Sequence, residues 1–159
     1  MSRQFDVREL VRVAVIDERS GKELYGKMEK KAKDGDLKRT FADLVKQEER
    51  HEKRFETLLG DLESRGEQTT SQYPDEYVDY LEMVTAGGGR SEAQSKLDDA
   101  EGDIDLIDLA VLFEQEQLLL QQDMAKILGD KHRAVADEII REEQAHLVSL
   151  SKSRDKLAL

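Results

Sequence analysis

Glu48-Glu49-Arg50-His51 and Glu143-Gln144-Ala145-His146 decide how this chain is read. Each is a Glu-x-x-His element preceded by a lone Glu at almost the same distance. Glu18 lies 30 residues before Glu48, and Glu114 lies 29 residues before Glu143. The chain therefore repeats one plan, a Glu on one helix and Glu-x-x-His on the next. Together the two copies supply four carboxylates and two imidazoles, a donor set suited to a pair of transition-metal ions.

The stripes around these residues predict four long helices. The first spans about Phe5 to Lys33 and turns Val7, Val11, Ala14, Glu18, Gly21, Tyr25 and Met28 inward. Asp34-Gly35-Asp36 breaks it, with Asp36 as the expected N-cap of the next. The second runs from about Leu37 to Leu62 through Phe41, Leu44, Glu48, His51, Phe55 and Leu58. The third, from about Asp103 to Gly129, carries Ile107, Ala110, Glu114, Gln117, Gln121, Met124 and Leu128. The fourth begins near Lys131 and presents Ala136, Ile139, Glu143, His146 and Leu150. Steps alternating three and four keep all of these on one helix face. Every candidate ligand thus sits in an otherwise apolar stripe. A buried, unpaired carboxylate costs several kcal/mol, so burial asks for a cation.

Residues 63–102 hold Thr69-Thr70-Ser71, the only Pro (Pro74) and Gly87-Gly88-Gly89. They are too many for a tight turn between helices. They fit a long crossover within a single domain spanning 1–159, interrupted by a short helix near Asp75–Val84 with Tyr77, Leu81 and Val84 on one side. The fold class expected is all-α, a four-helix bundle with one long crossover between helices two and three, which then lie parallel. Tyr73, Tyr77, Tyr80 and Met83 either cover the bundle's own core or form an interface of a homodimer or larger homo-oligomer.

Composition narrows the classes of function. The formal charge is −11, which repels phosphate backbones and anionic lipid, so neither nucleic acid nor membrane is an expected partner. Cys is absent, which excludes disulfides, Cys-ligated zinc and iron–sulfur clusters within these residues. The longest strictly apolar run, Leu109 to Phe113, is too short to span a bilayer, and the first twenty residues carry charges throughout, so a cytoplasmic location is expected. Carboxylate with imidazole suits iron or manganese, with zinc able to bind adventitiously. Tyr25 is either a core residue or a hydrogen-bonding neighbour of the metals, open to radical chemistry. Gln117 and Gln121 read as hydrogen-bonding groups around the site, and His132 as solvent-exposed at the start of the fourth helix.

These residues resemble the rubrerythrin family of ferritin-like proteins. The resemblance runs through Glu18 with Ser20-Gly21-Lys22-Glu23-Leu24-Tyr25, Glu48-x-x-His51, Glu114 and Ile140-Arg141-Glu142-Glu143-Gln144-Ala145-His146. A Glu from each of two helices and Glu-x-x-His from each of the other two is the ligand plan of ferritin-like di-metal proteins. The resemblance implies a di-iron centre held by Glu18, Glu48, His51, Glu114, Glu143 and His146. It also implies an oxidoreductase that reduces hydrogen peroxide or O2, or a relative that oxidises and stores iron. A third expectation is a non-catalytic, metal-stabilised helical module.

Two departures from the family pattern stand out. No Cys-ligated rubredoxin-like domain lies within these residues, so electrons are expected from an external donor such as a rubredoxin, or from a small molecule. Gln117 stands where peroxidase-type members carry a further Glu, and Gln121 where relatives commonly carry Tyr. Gln supplies no anionic ligand, so the redox-driven ligand exchange proposed for those peroxidases is not expected here.

Overall fold

The four inward stripes fold as four long helices, and a computed structural model describes residues 1–64, 68–89 and 91–159. The order is β1 (Ser2–Asp6), α1 (Arg8–Lys31), α2 (Gly35–Ser64), β2 (Thr70–Pro74), α3 (Asp75–Ala86), α4 (Glu92–Ser95), a 3-10 turn (Leu97–Asp99), α5 (Asp103–Ile127) and α6 (Asp130–Leu157). Short turns make α1–α2 and α5–α6 hairpins. Cross-links fix their directions. Arg12 meets Glu63 while Arg19 meets Glu56, so α1 and α2 are antiparallel. Tyr25 meets Glu114 while Gln121 meets Glu18, so α1 and α5 are antiparallel as well. Hence α2 and α5 run parallel, as a ferritin-like bundle with one long crossover requires.

Every residue assigned to the four inward stripes is buried. The apolar ones form two clusters. One gathers Val11, Phe55, Leu58, Met124 and Ile139, and the other Met28, Phe41, Leu44, Ile107 and Leu150. The polar stripe residues lie between them. Burial of a large aliphatic or aromatic side chain is worth roughly 1.5–3 kcal/mol, so the two apolar halves supply the stability against which the polar middle must be offset.

Three local expectations are corrected. The first helix starts at Arg8, because residues 2–6 pair antiparallel with β2, from Ser2 opposite Pro74 to Asp6 opposite Thr70. Phe5 is buried from this strand, and the Asp6 carboxylate accepts the Arg8 N–H at 3.0 Å where the chain turns into the helix. The N-cap of α2 is Asp34, whose Oδ2 accepts the Leu37 N–H at 2.9 Å. Asp36 instead pairs with Arg39 and Lys156. In α3 Tyr77, Leu81 and Val84 share the face toward the core as expected, and Val78 is buried beside them. His132 is buried, because it lies one turn before Ala136 and so extends the stripe of α6.

Two close backbone approaches shape the bundle. Beyond α3 the chain presses Gly88 onto α1, where a Cβ would fall 2.4 Å from Val13 Cγ1. The next residue, Gly89, has φ of 78° and donates its N–H to Asp17 Oδ1. Within α1, a Cβ on Gly21 would fall 2.4 Å from Glu48 Oε2, so glycine there lets the Glu48 carboxylate lie against the helix backbone. Among the described residues, no helix is long and apolar enough to cross a membrane.

Candidate metal centre

Glu18 from α1, Glu48 and His51 from α2, Glu114 from α5, and Glu143 and His146 from α6 converge at mid-bundle. The four carboxylates are 0 % exposed, and the imidazoles 1 % and 4 %. Their donor atoms form two overlapping groups, Glu18, Glu48, His51 and Glu143, and Glu48, Glu114, Glu143 and His146. Within each group the donor atoms lie within 4.8 Å of one another. Glu48 and Glu143 belong to both groups, while each lone Glu and each His belongs to one. The two groups overlap as two half-sites that share Glu48 and Glu143. The imidazole rings stack with centroids 5.7 Å apart.

Hydrogen bonds set the orientation of each group. Glu143 Oε1 lies 3.0 Å from His51 Nδ1, and its Oε2 lies 2.9 Å from His146 Nδ1. His146 Nδ1 is also 3.2 Å from Glu114 Oε1. Both imidazoles thus turn Nδ1 inward, and each Nε2 meets an acceptor at the rim, Glu142 Oε2 for His51 and Gln47 Oε1 for His146. An acceptor on Nε2 holds the proton there and leaves the Nδ1 lone pair available to a metal. The Tyr25 hydroxyl, also fully buried, donates to Glu114 Oε1 at 2.7 Å. Gln117 Nε2 donates to Glu48 Oε2 at 2.8 Å, and Gln121 Nε2 to Glu18 Oε1 at 2.9 Å. The two glutamines therefore stand where the sequence placed them, around the carboxylates.

Charge in this dry pocket is unevenly held. Burial pushes Glu18 and Glu48 well above the usual carboxylate range, reinforced by the neighbouring carboxylates. Burial likewise lifts Glu114 to about 8, with Glu143 adding to the shift. Glu143 goes the other way. Burial opposes its charge, but hydrogen bonds from His146 and His51 outweigh that and hold it well below the usual range. Burial also opposes charge on the imidazoles, yet their contacts with Glu143, and with Glu114 at His146, raise His51 to about 9 and His146 to about 10. Without a cation, protons do the work of neutralisation.

The donors fit a pair of divalent cations. Glu18 Oε2, Glu48 Oε1 and Glu114 Oε2 are buried and have no hydrogen-bond partner, an arrangement costing roughly 1–3 kcal/mol per orphaned group. Four carboxylates match the formal charge of two such ions. Two clefts reach this region. One, of about 380 Å³, lies beneath the Gly87–Gly89 turn and is lined by Asp17, Phe113 and Gln117. The other, of about 230 Å³, opens between α2 and α6 beside Gln47, Glu142 and His146.

Sequence reasoning missed the roles of Gln47 and Glu142. Both lie off the inward stripe. The available signal was their position, each directly before a ligand Glu.

A family model described as Rubrerythrin matches residues 9–153. Among curated proteins, none matches the chain. One similar solved structure is a putative ferritin-like diiron-carboxylate protein from Thermotoga maritima, with 17% identity and a TM-score of 0.67 over 96% of this chain and 97% of that one. Another is a two-domain protein containing DJ-1/ThiJ/PfpI-like and ferritin-like domains from Anabaena variabilis, with 19% identity and a TM-score of 0.67. There the match covers 96% of this chain but 36% of the other, so this chain spans about a third of that two-domain protein. At these identities the two structures speak to the fold, which they share with this chain.

Proposed function

This chain belongs to the rubrerythrin family, and from that premise we propose that it is a non-haem di-iron oxidoreductase reducing hydrogen peroxide or O2. The observation that carries the reading is the convergence of six buried donors in two overlapping groups, three of the carboxylates having an unpartnered oxygen. Glu18 and His51 would hold one ion, Glu114 and His146 the other, with Glu48 and Glu143 within reach of both. Carboxylate and imidazole suit iron, with manganese as the nearest substitute and zinc as a redox-inactive one. A ferrous pair bound there would supply one electron from each ion, which matches a two-electron reduction of peroxide.

The protein's own contribution is positioning and exclusion of water. The two apolar clusters seal the centre along the bundle axis. Glu142 and Gln47 hold the imidazole Nε2 protons outward. Tyr25 donates its hydroxyl proton to Glu114 across an O···O distance of 2.7 Å and fixes that carboxylate. Gln117 stays an uncharged donor to Glu48 and supplies no anionic ligand, so each half-site keeps one lone carboxylate. Reducing equivalents come from a separate donor, a rubredoxin-like protein or a small molecule, since these residues include no Cys to bind a redox iron. Self-association through the exposed Tyr80 and Met83 of α3 is the accompanying expectation, read by light scattering.

Stopped-flow mixing of the anaerobic Fe(II)-loaded protein with O2 and with peroxide tests the reading. Rapid oxidation by either supports it. Iron-loaded protein inert to both overturns it. Oxidation accompanied by mineral growth beyond two irons per chain would replace it with iron storage.

A further inference from the structure

The two half-sites share their ligand types and differ in what stands behind them. His51 Nε2 lies 2.5 Å from Glu142 Oε2, and His146 Nε2 lies 2.7 Å from Gln47 Oε1. Gln47 and Glu142 occupy the same place in the repeat, each one residue before a ligand Glu, and each reaches across to the imidazole of the other hairpin. One acceptor is a carboxylate and the other a neutral amide.

The lone carboxylates differ as well. Glu114 Oε1 accepts from the Tyr25 phenol at 2.7 Å, and Glu18 Oε1 accepts from the Gln121 amide at 2.9 Å. Tyr25 and Gln121 are again repeat mates, each seven residues after a lone Glu and each bonding the lone Glu of the other hairpin.

Both differences act in one direction. An anionic acceptor on Nε2–H leaves more electron density on the imidazole and makes Nδ1 the stronger donor. A phenol O–H is more acidic than an amide N–H, so it withdraws more charge from the carboxylate it bonds. The Glu18–His51 half is therefore enriched on both counts and the Glu114–His146 half depleted. Arg54 Nη1 lies 3.6 Å from Glu142 Oε1 and tempers that charge, but the other oxygen stays on His51.

We propose that the two metal positions are electronically unequal: the Glu18–His51 half-site takes the first divalent ion and holds it more tightly, and Glu142 is the positioning residue that sets the difference. The inference rests on the metal-centre reading above.

Titrating metal-free full-length protein with Co(II), by calorimetry and visible absorption together, tests it. A symmetric pair would also fill in two steps, because the first cation repels the second, so the diagnostic is how each step responds to substitution. Glu142→Gln is expected to weaken the tight step roughly 10–100-fold while sparing the weak one. Gln47→Glu is expected to tighten the weak step. The double exchange Q47E/E142Q should restore the separation with the absorption spectra of the two steps interchanged, which a merely structural role would not produce. If E142Q does not fold, the Q47E and Q47E/E142Q arms decide alone. Two ions bound with native constants in E142Q, an effect of E142Q confined to the weak step, or a Q47E titration identical to the native one would overturn the inequality while leaving the metal centre standing. No Co(II) binding by the native protein would remove both.

Discussion

Replacing Gly21 with alanine sets a small gain against a large loss. An alanine in a helix interior is favoured over glycine by about 1 kcal/mol, and on that ground alone the variant would be the more stable. The new methyl, however, would lie 2.4 Å from Glu48 Oε2 and 2.8 Å from Phe113 Cε1, both buried. Reaching ordinary contact requires these atoms to retreat by roughly 1 Å, and overpacking of this kind costs about 1–3 kcal/mol. The net expectation is a metal-free protein destabilised by up to ~2 kcal/mol, or a few degrees of melting temperature for a chain of this size. The larger effect falls on metal binding. Glu48 belongs to both donor groups, so moving its carboxylate loosens both ions together. The assay is a pair of thermal melts, metal-free and metal-loaded, with metal content measured on the same samples. Gly26→Ala on the same helix is the control, since nothing lies within 4 Å of its added Cβ, and it should gain stability and keep its metal. A Gly21→Ala protein that binds two ions and shows the native rise in melting temperature on loading would refute the reasoning.

Other outcomes follow from the same centre. His51→Ala and His146→Ala should each lose about one metal equivalent by elemental analysis, and unchanged stoichiometry in both would mean the ligands are misassigned. Between pH 5 and pH 9 the metal-free protein should lose stability steadily. Glu18, Glu48, Glu114, His51 and His146 all have raised values in the fold, so their contribution is present below the unfolded values and is lost as pH rises through the folded ones, which include about 8 for Glu114 and about 9 for His51. Glu143 opposes this trend only on acidification below the usual carboxylate range, and a flat metal-free profile would contradict the burial of the cluster. Loading two divalent ions at pH 7 should release protons from Glu114 and both imidazoles, whose values of about 8, 9 and 10 lie above that pH, and calorimetry in buffers of different ionisation enthalpy counts them. Tyr25→Phe removes the donor to a buried carboxylate oxygen, and melts should show a loss of roughly 1–3 kcal/mol.

The six donors and the bundle were legible because each helix writes its inward face as a three-and-four alternation, and a polar residue in that alternation is conspicuous. His132 shows the limit. It obeys the same spacing one turn before Ala136, yet its position at the start of the helix argued for solvent. β1 was illegible because five residues pair with partners some seventy positions away, a relation that no local pattern carries. Gln47 and Glu142 were missed for a related reason. Their positions on the helix wheel point toward the rim, and only the docking of the two hairpins makes that rim a place where an imidazole ends. Asp34 and Asp36 flank the same glycine with equal capping chemistry, and the observed start of α2 decides between them.

The crossed contacts of Gln47 with His146 and of Glu142 with His51 also act as a vernier between the two hairpins. Helix faces dominated by leucine and phenylalanine tolerate sliding by a turn, because one aliphatic knob resembles the next. A slip of one turn here would strand both buried rings at once, by parting each from its outer acceptor. Apolar packing therefore makes the hairpins adhere, and these two bonds choose the single alignment in which they do.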